Sequence, residues 1–256
     1  MTAMWWEIAA FIGGACIGSF LNVVIHRTPR RLSVIAPGSR CPECGMPVRW
    51  YDNIPLISWF ILLGHCRDCG APFSIRYALV ELVTAILTWG VVHVHGAGIE
   101  SALYLLLTWG LIAATFIDLD HQIIPDEISV GGAVLGLAVS FLSPVGFTGA
   151  LAGMAVGGGI FFALAILYPG GMGGGDIKLM GAIGAFLGWK LALVTIIISS
   201  VTGAVVGGLS MLFFGKGRKD RIPFGPFLAL GGVAALLFGD GLIAWYFARV
   251  IGPMAY

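Results

Sequence analysis

Four of the five cysteines form two pairs with the same spacing. Cys41 and Cys44 make one Cys-x-x-Cys pair, Cys66 and Cys69 make the other, and a glycine follows each pair. Two residues between the cysteines let both thiolates bind one ion, and the glycine permits a tight turn around the sulfur. Four sulfurs complete a tetrahedral zinc site and leave no position for water, which predicts a structural zinc. The alternatives are redox-active dithiols and, more weakly, disulfides.

Acidic residues at the ends of apolar runs are the second set of side chains that could do chemistry. Asp118 is the last residue in the apolar pattern of its run, Asp120 lies one step further into water, and Asp176 follows a run of glycines. If Asp118 and Asp176 meet in a partly dry site, one holds a proton while the other takes one from water. Spacing alone leaves open whether they pair. Asp126 and Glu127 have a structural explanation, because they suit the positive end of a helix dipole.

Four further residues could support such a pair. Gly173 and Gly175 precede Asp176 and would let a substrate strand approach closely, although a plain loop or an anion-binding nest also explains them. Glu81 lies just inside the second apolar run, where it is either functional or directed toward the membrane interface. Lys178 either biases the charge near Asp176 or anchors its helix at the lipid headgroups.

Apolar helices must position these side chains. The 256 residues are 58% hydrophobic and 11% charged, which excludes a water-soluble fold and intrinsic disorder. Mean hydropathy is +0.96. Eight runs could cross about 30 Å of hydrocarbon, the shortest being 177–189. They cover residues 8–25, 77–95, 99–117, 128–143, 147–168, 177–189, 191–214 and 224–248. The sequence therefore predicts an all-α polytopic membrane protein of about eight transmembrane helices, with a small zinc-binding domain between helices 1 and 2.

The distribution of Lys and Arg predicts the orientation. With the N-terminus outside, the segments 26–76, 118–127, 169–178 and 215–223 face the cytoplasm and hold 12 of the 14 Lys and Arg residues. Only Lys190 and Arg249 stay outside. The positive-inside rule therefore places both termini outside, and the cysteine segment and both aspartates at the cytoplasmic face.

Several classes of protein are not supported. The net charge of +1 does not suggest a nucleic-acid partner, whereas the composition makes the lipid bilayer a partner. No Ser-His-Asp, His-Glu-x-x-His or Gly-x-Gly-x-x-Gly pattern is present in the sequence. The residues by themselves therefore give no argument for a nucleotide-type cofactor.

Taken in order, the motifs resemble those of the bifunctional type IV prepilin peptidases, which are membrane aspartic peptidases. The resemblance runs from about residue 14 to residue 230 and rests on four segments. They are residues 18–23 (GSFLNV), the cysteine segment 41–69, residues 116–121 (FIDLDH) with Pro125 and Asp126, and residues 173–178 (GGGDIK). Ala78 departs from the family, which usually has proline there.

The resemblance implies an activity and a site. It implies that Asp118 and Asp176 are the catalytic pair and that Cys41, Cys44, Cys66 and Cys69 bind zinc. It further implies prepilin or pseudopilin substrates, cleavage of their leader at the cytoplasmic face of the bacterial inner membrane, and N-methylation of the new N-terminus with S-adenosylmethionine. The methyl-donor site stays unassigned.

The predicted division is a first transmembrane helix over residues 1–26, a cytoplasmic zinc domain over 27–76, and a peptidase bundle over 77–256. Three other functions fit parts of the pattern. They are a transporter whose buried acids carry protons, a Gly-x-Gly-Asp peptidase without methylase activity, and a zinc-stapled scaffold of an export machine.

Overall fold

Helices make up the regular structure of the protein. The computed structural model describes residues 2–214 and 222–251. These residues form α1 (Thr2–Arg27), α2 (Ile57–Ile61), α3 (Arg76–His95), α4 (Ile99–His121), α5 (Asp126–Val139), α6 (Gly146–Leu167), α7 (Gly174–Phe214) and α8 (Gly225–Tyr246). Short 3-10 turns cover Thr28–Arg30, Trp50–Asn53 and Ser140–Leu142, and a π-helical turn covers Phe247–Ile251.

The helices agree with the predicted apolar runs. Within the described ranges, 6 helices are long and apolar enough to cross a membrane: α1, α3, α4, α6, α7 and α8. Helix α7 has 41 residues and is interrupted at Gly188, where φ is 75° and ψ is 171°, so that it contains the predicted runs 177–189 and 191–214. Helix α5 has 14 residues and continues into the turn Ser140–Leu142, which together match run 128–143. The prediction of an all-α polytopic membrane protein is confirmed.

The chain divides into two compact units, Met1–Ile117 and Asp118–Tyr256. The first contains α1, the cysteine segment, α3 and α4 as far as Ile117, and the second begins at Asp118. The separate zinc domain over 27–76 stays a prediction. The basic residues Lys216, Arg218, Lys219 and Arg221, which the orientation prediction uses, lie outside the described ranges.

In the first unit, α1 packs closely against α3 because glycines stand at the contact. A Cβ on Gly18 would lie 2.6 Å from the Cα of Glu81, and a Cβ on Gly14 would lie 2.7 Å from the Cβ of Thr88. Small residues that let two backbones approach are the usual means of packing helices in a membrane. The Trp109 indole N–H, on α4, donates to the Thr88 hydroxyl at 3.0 Å.

In the second unit, α7 is the central helix and packs against α5, α6 and α8. Its first half is the core, since Leu179, Met180 and Ile183 are almost completely buried. Gly184 of α7 meets Gly153 of α6 so closely that a Cβ on either glycine would collide with the other's backbone. This contact holds the N-terminal half of α7, which carries Asp176, against α6.

Replacement of Gly184 tests this packing. We expect Gly184→Val to lower the free energy of unfolding by about 1–3 kcal/mol, because the added side chain forces α6 and α7 apart. Reversible unfolding in detergent, followed by tryptophan fluorescence, measures the change. The matched control is Gly159→Val on α6, where a Cβ would meet nothing within 4 Å. Equal destabilisation by both variants would contradict the packing argument.

Candidate active site and metal centre

The four cysteines of the two Cys-x-x-Cys pairs form one cluster. Their sulfur atoms all lie within 4.8 Å of one another, and the Sγ atoms of Cys41 and Cys69 are 3.8 Å apart. Sulfurs at the corners of a tetrahedron around zinc, with Zn–S bonds of about 2.3 Å, are about 3.8 Å apart. The cluster therefore fits zinc, and it would be a structural site because sulfur takes all four positions.

The two cysteine pairs form turns with the same backbone hydrogen bond. The Gly45 N–H donates to the Cys41 carbonyl at 2.9 Å, and the Gly70 N–H donates to the Cys66 carbonyl at 2.9 Å. Both glycines have positive φ, +70° for Gly45 and +72° for Gly70, which side-chain-bearing residues rarely adopt. The glycine after each pair is thus required by the tight turn, as the sequence predicts.

Backbone donors favour the thiolate form of Cys41. Hydrogen bonds from the backbone of Cys44 and Glu43 to the sulfur lower the pKa of the Cys41 thiol to about 7, although burial opposes them. A thiolate is the form that binds zinc. Burial and the neighbouring thiols raise the pKa of Cys44, and they raise the pKa of Cys69 to about 12, so metal binding at this cluster would release protons.

Two ion pairs fix the loop before α2 to the second cysteine pair. The Arg67 guanidinium binds Asp52 through two nitrogens, at 2.6 to 3.1 Å, and lowers the pKa of the Asp52 carboxyl. Arg49 donates to Asp68 at 3.1 Å. Because Arg67 and Asp68 stand between Cys66 and Cys69, these pairs tie the metal cluster to the residues around it.

Asp118 lies near the end of α4 and is only 5% exposed. Its Oδ2 accepts the Gly225 N–H, the first of α8, at 2.8 Å. The preceding residue, Phe224, gives no side-chain cap to α8, and Pro226 has no N–H. The Asp118 carboxylate therefore satisfies an N–H that α8 would leave without a partner, and it lies at the positive end of that helix.

Asp176 lies in the first turn of α7 and is half-buried. Its Oδ2 accepts the Gly173 N–H at 3.2 Å, while its own N–H donates to the Gly173 carbonyl at 3.1 Å. A third-position side chain that reaches back to the N-cap N–H is half of a capping box. Asp176 is thus oriented by the start of its own helix.

Three contacts join the segments that carry the two aspartates. The Asp118 carboxyl is near enough to Asp176 to act on it electrostatically. A Cβ on Gly175 would lie 3.0 Å from the Cβ of Ile124, in the loop after α4. Lys178 donates to Asp126 at 2.7 Å. The two acids of the hypothesis are therefore brought together within the second unit.

The structure narrows the roles of the glycines and the lysine. A Cβ on Gly173 would lie 3.0 Å from Asp176 Oδ2, and a Cβ on Gly175 would lie 3.0 Å from the Cβ of Ile124. The two glycines therefore let the side chains of Asp176 and Ile124 approach the backbone closely. The Lys178 ammonium group, near the start of α7, forms an ion pair with Asp126 at the start of α5 rather than with Asp176. The sequence analysis explains Asp126 by the dipole of its helix alone, whereas the structure also gives it Lys178 as a partner.

Sequence reasoning missed Gly225 and left Glu81 unassigned. A Cβ on Gly225 would lie 2.7 Å from Asp118 Oδ2, so only glycine fits beside this carboxylate. The available signal was a glycine directly before the proline that opens the last apolar run. Glu81 belongs to the first unit, where its Oε2 accepts the Leu56 N–H at 2.7 Å.

Comparison with known proteins adds two family matches. The model of the bacterial peptidase A24 N-terminal domain matches residues 12–95, and that of the type IV leader peptidase family matches residues 105–208. No solved structure matches the chain significantly.

Similar proteins cover nearly the whole chain. A prepilin leader peptidase/N-methyltransferase of Aeromonas hydrophila is 39% identical over 271 residues, which cover 94% of this chain and 93% of the relative. A protein of that name from Stutzerimonas stutzeri is 39% identical over 277 residues, with 95% of each chain covered. Another from Pseudomonas aeruginosa is 36% identical over 268 residues, with 91% and 90% covered.

The cysteine cluster predicts a measurable metal content. We expect about one zinc ion per purified chain, and a large loss of zinc in Cys41→Ser, because three sulfurs bind zinc more weakly than four. Mass spectrometry of the metal, on protein quantified by amino-acid analysis, measures this. Cys16→Ser is the matched control, since Cys16 lies outside the cluster. Unchanged zinc in Cys41→Ser would contradict the assignment.

Proposed function

The chain belongs to the type IV leader peptidase family, and from that premise we propose that Asp118 and Asp176 are the catalytic pair that removes the leader from prepilins and pseudopilins. The observation that carries this assignment is that the contacts of Gly175 with Ile124 and of Lys178 with Asp126 join the segments of the two aspartates near the ends of two apolar helices. Each is held by one backbone N–H, from Gly225 and Gly173, through Oδ2. Oδ1 of each aspartate is thereby left for water and substrate.

The pair hydrolyses the peptide bond by general acid–base catalysis. One ionised carboxylate takes a proton from water, and the water oxygen attacks the scissile carbonyl carbon. The other carboxyl, protonated, donates its proton toward the carbonyl oxygen. The C–N bond then breaks as the nitrogen takes a proton, which gives a free leader carboxylate and a new N-terminal amine. Because the two groups titrate as a unit, the single proton belongs to the pair.

The second activity is N-methylation of the new amine. The names of the similar proteins include N-methyltransferase, which supports S-adenosylmethionine as the methyl donor. When bound, this cofactor supplies a methyl group on a positively charged sulfur. The zinc cluster has a different role, because its four sulfurs leave no position for a reacting water. Zinc would instead hold the cysteine segment in shape.

The location and orientation of the protein in the membrane are inferred from its family and from the distribution of its Lys and Arg residues. We propose that the protein lies in the bacterial inner membrane with both termini on the periplasmic side. The cysteine segment and the aspartate pair then face the cytoplasm. The distribution of Lys and Arg supports this orientation, since 12 of 14 lie in the segments assigned to the cytoplasm.

Substitution of the aspartates tests the catalytic assignment. We expect Asp118→Asn and Asp176→Asn each to lower the rate of leader removal by about 100-fold or more, because an amide can replace neither the general base nor the general acid. Purified protein in detergent is incubated with a prepilin and S-adenosylmethionine, and product masses are read by mass spectrometry. The wild-type product loses its leader and gains one methyl group.

Asp120→Asn is the matched control, because Asp120 is exposed on the same helix, two residues beyond Asp118. It should cleave at close to the wild-type rate. Normal cleavage by either Asp118→Asn or Asp176→Asn would overturn the assignment.

The alternative functions predict different results. A transporter would move a solute into liposomes without cutting the peptide, and a scaffold would tolerate both substitutions. A peptidase without methylase activity would yield the cleaved product without the added methyl mass.

The orientation is tested by fusing alkaline phosphatase, which is active only outside the cytoplasm. We expect an active enzyme when it is fused after Gly98, between α3 and α4, and an inactive one after Gly171, between α6 and α7. Immunoblots of the fusions control for expression. The reverse pattern would place the aspartates at the periplasmic face.

A further inference from the structure

The cysteine segment carries an apolar surface that the peptidase chemistry does not use. It is formed by helix α2 and the residues next to it, and we call it the α2 face: Ile54, Ile57, Phe60, Ile61 and Leu63. These side chains are between 40% and 77% exposed. A group of exposed apolar side chains marks a surface that contacts a partner or a membrane.

Helix α2 is inside-out for a segment surrounded by water. Its polar side chain, Ser58, is only 7% exposed, whereas Phe60 and Ile61 are exposed. The Ser58 hydroxyl donates to the Tyr51 carbonyl at 3.0 Å and accepts the Ile54 N–H at 3.0 Å. In water the hydrophobic effect favours the opposite arrangement. The burial pattern therefore indicates that the α2 face lies against an apolar environment.

The backbone of this segment can enter such an environment with its N–H groups satisfied. Lipid offers no hydrogen bonds, so a segment in contact with it must supply its own acceptors. The Ile54 N–H uses the Ser58 hydroxyl, and the Leu56 N–H uses the Glu81 carboxylate. Carbonyls of the same segment accept the N–H groups of Ser58, Phe60, Leu62, Leu63 and Gly64.

The contact with Glu81 fixes the depth of α2. Helix α3 has 20 residues and is about 30 Å long, the thickness of a hydrocarbon core, so its start lies near the boundary of that core. Glu81 is the sixth residue of α3, about 7–8 Å further along its axis. The Leu56 N–H donates to the Glu81 carboxylate at 2.7 Å. Because Leu56 directly precedes α2, the start of α2 lies beside the second turn of a membrane-crossing helix.

A strained turn holds α2 in this place. Leu56 has φ 64° and ψ −56°, and the Ile57 N–H donates to the Pro55 carbonyl at 2.7 Å, which makes a γ-turn of positive φ. Such a conformation persists only where the surrounding contacts maintain it. The hydrogen bond to Glu81 is such a contact, so the turn ties α2 to α3.

Two observations identify the bilayer as the occupant of the α2 face. The first turns of α3 expose Leu79 and Leu82, apolar side chains of a membrane-crossing helix, at the depth where α2 is tied to it. Residues 26–76 also hold seven arginines against three acids, and a basic segment attracts anionic phospholipid headgroups. A soluble protein would fit the charge but would have to reach below the headgroups to contact α2.

We propose that the α2 face inserts into the leaflet that α1 leaves and α3 enters. With five residues, α2 is too short to cross the hydrocarbon and would lie at its boundary with the headgroups. The cysteine segment would then contact the membrane directly, besides linking two membrane-crossing helices. The inference is independent of the aspartate assignment, because all the residues that carry it belong to the first unit, Met1–Ile117.

Photo-crosslinking tests the position of the α2 face. The full chain, with p-benzoylphenylalanine in place of Phe60, is placed in nanodiscs of phosphatidylethanolamine and phosphatidylglycerol and irradiated. This label leaves the cysteines unmodified, and mass spectrometry of the intact protein counts the lipid adducts. The reference positions are Ile86, exposed on α3, and Glu43, exposed between Cys41 and Cys44. We expect the yield at Phe60 to be close to that at Ile86 and roughly 10-fold above that at Glu43, because an interfacial helix buries its apolar side among the acyl chains.

A charged side chain should lift the α2 face out of the leaflet. With the label at Ile57, we expect Phe60→Asp to lower the yield of lipid adducts by roughly 3- to 10-fold, because an ionised carboxylate is costly in hydrocarbon. Phe60→Leu is the matched control and should keep the yield of the unsubstituted chain. Elution on size exclusion in detergent at the wild-type volume shows that each variant is folded.

Each outcome supports or overturns the inference. Lipid adducts at Phe60 near the level of Ile86 support it. A yield no higher than at Glu43 would place the α2 face in water and overturn it, and so would equal yields in Phe60→Asp and Phe60→Leu. Crosslinks to a second copy, or to an added prepilin, in place of lipid would assign the face to a protein partner and also overturn it. The cleavage rates that test Asp118 and Asp176 are measured separately, so either proposal can fail alone.

Discussion

The candidate site depends on one kind of interaction, the hydrogen bond between a carboxylate and a backbone N–H at the N-terminal end of a helix. Asp118 accepts the N–H of Gly225 at the start of α8, and Asp176 accepts that of Gly173 at the start of α7. Helix N-termini stabilise anions, which offsets part of the cost of burying an acid. Two nearby carboxylates repel each other, which favours one proton on the pair. In the proposed mechanism, these opposing effects leave one acid charged and the other protonated.

Glycine makes this arrangement possible, because both aspartates sit where no side chain fits beside them. A Cβ on Gly225 would lie 2.7 Å from Asp118 Oδ2, and a Cβ on Gly173 would lie 3.0 Å from Asp176 Oδ2. Elsewhere in the second unit, Gly153 and Gly184 bring α6 and α7 into backbone contact. The same residue type therefore packs the helices and gives the carboxylates access to backbone donors.

The sequence predicts features that depend on local pattern. The apolar runs predict the helices and a separation at Lys190, close to the interruption that the structure has at Gly188, and the cysteine spacing predicts the cluster. The partners of Asp118 and Lys178 could not be predicted, because they come from distant segments and depend on how α8 and α5 pack. The end of α5 at Val139 could not be predicted either, since an apolar run does not show where its last turn becomes a 3-10 turn.

The cysteine segment has little regular structure of its own, so other interactions must hold its shape. Its regular structure is limited to the five residues of α2, one 3-10 turn and isolated β-bridges, so helix packing alone cannot hold its shape. The sulfur cluster and the pairs of Arg67 with Asp52 and Arg49 with Asp68 supply the missing constraints. A zinc ion bound by the four sulfurs would hold the shape of this segment without entering the chemistry.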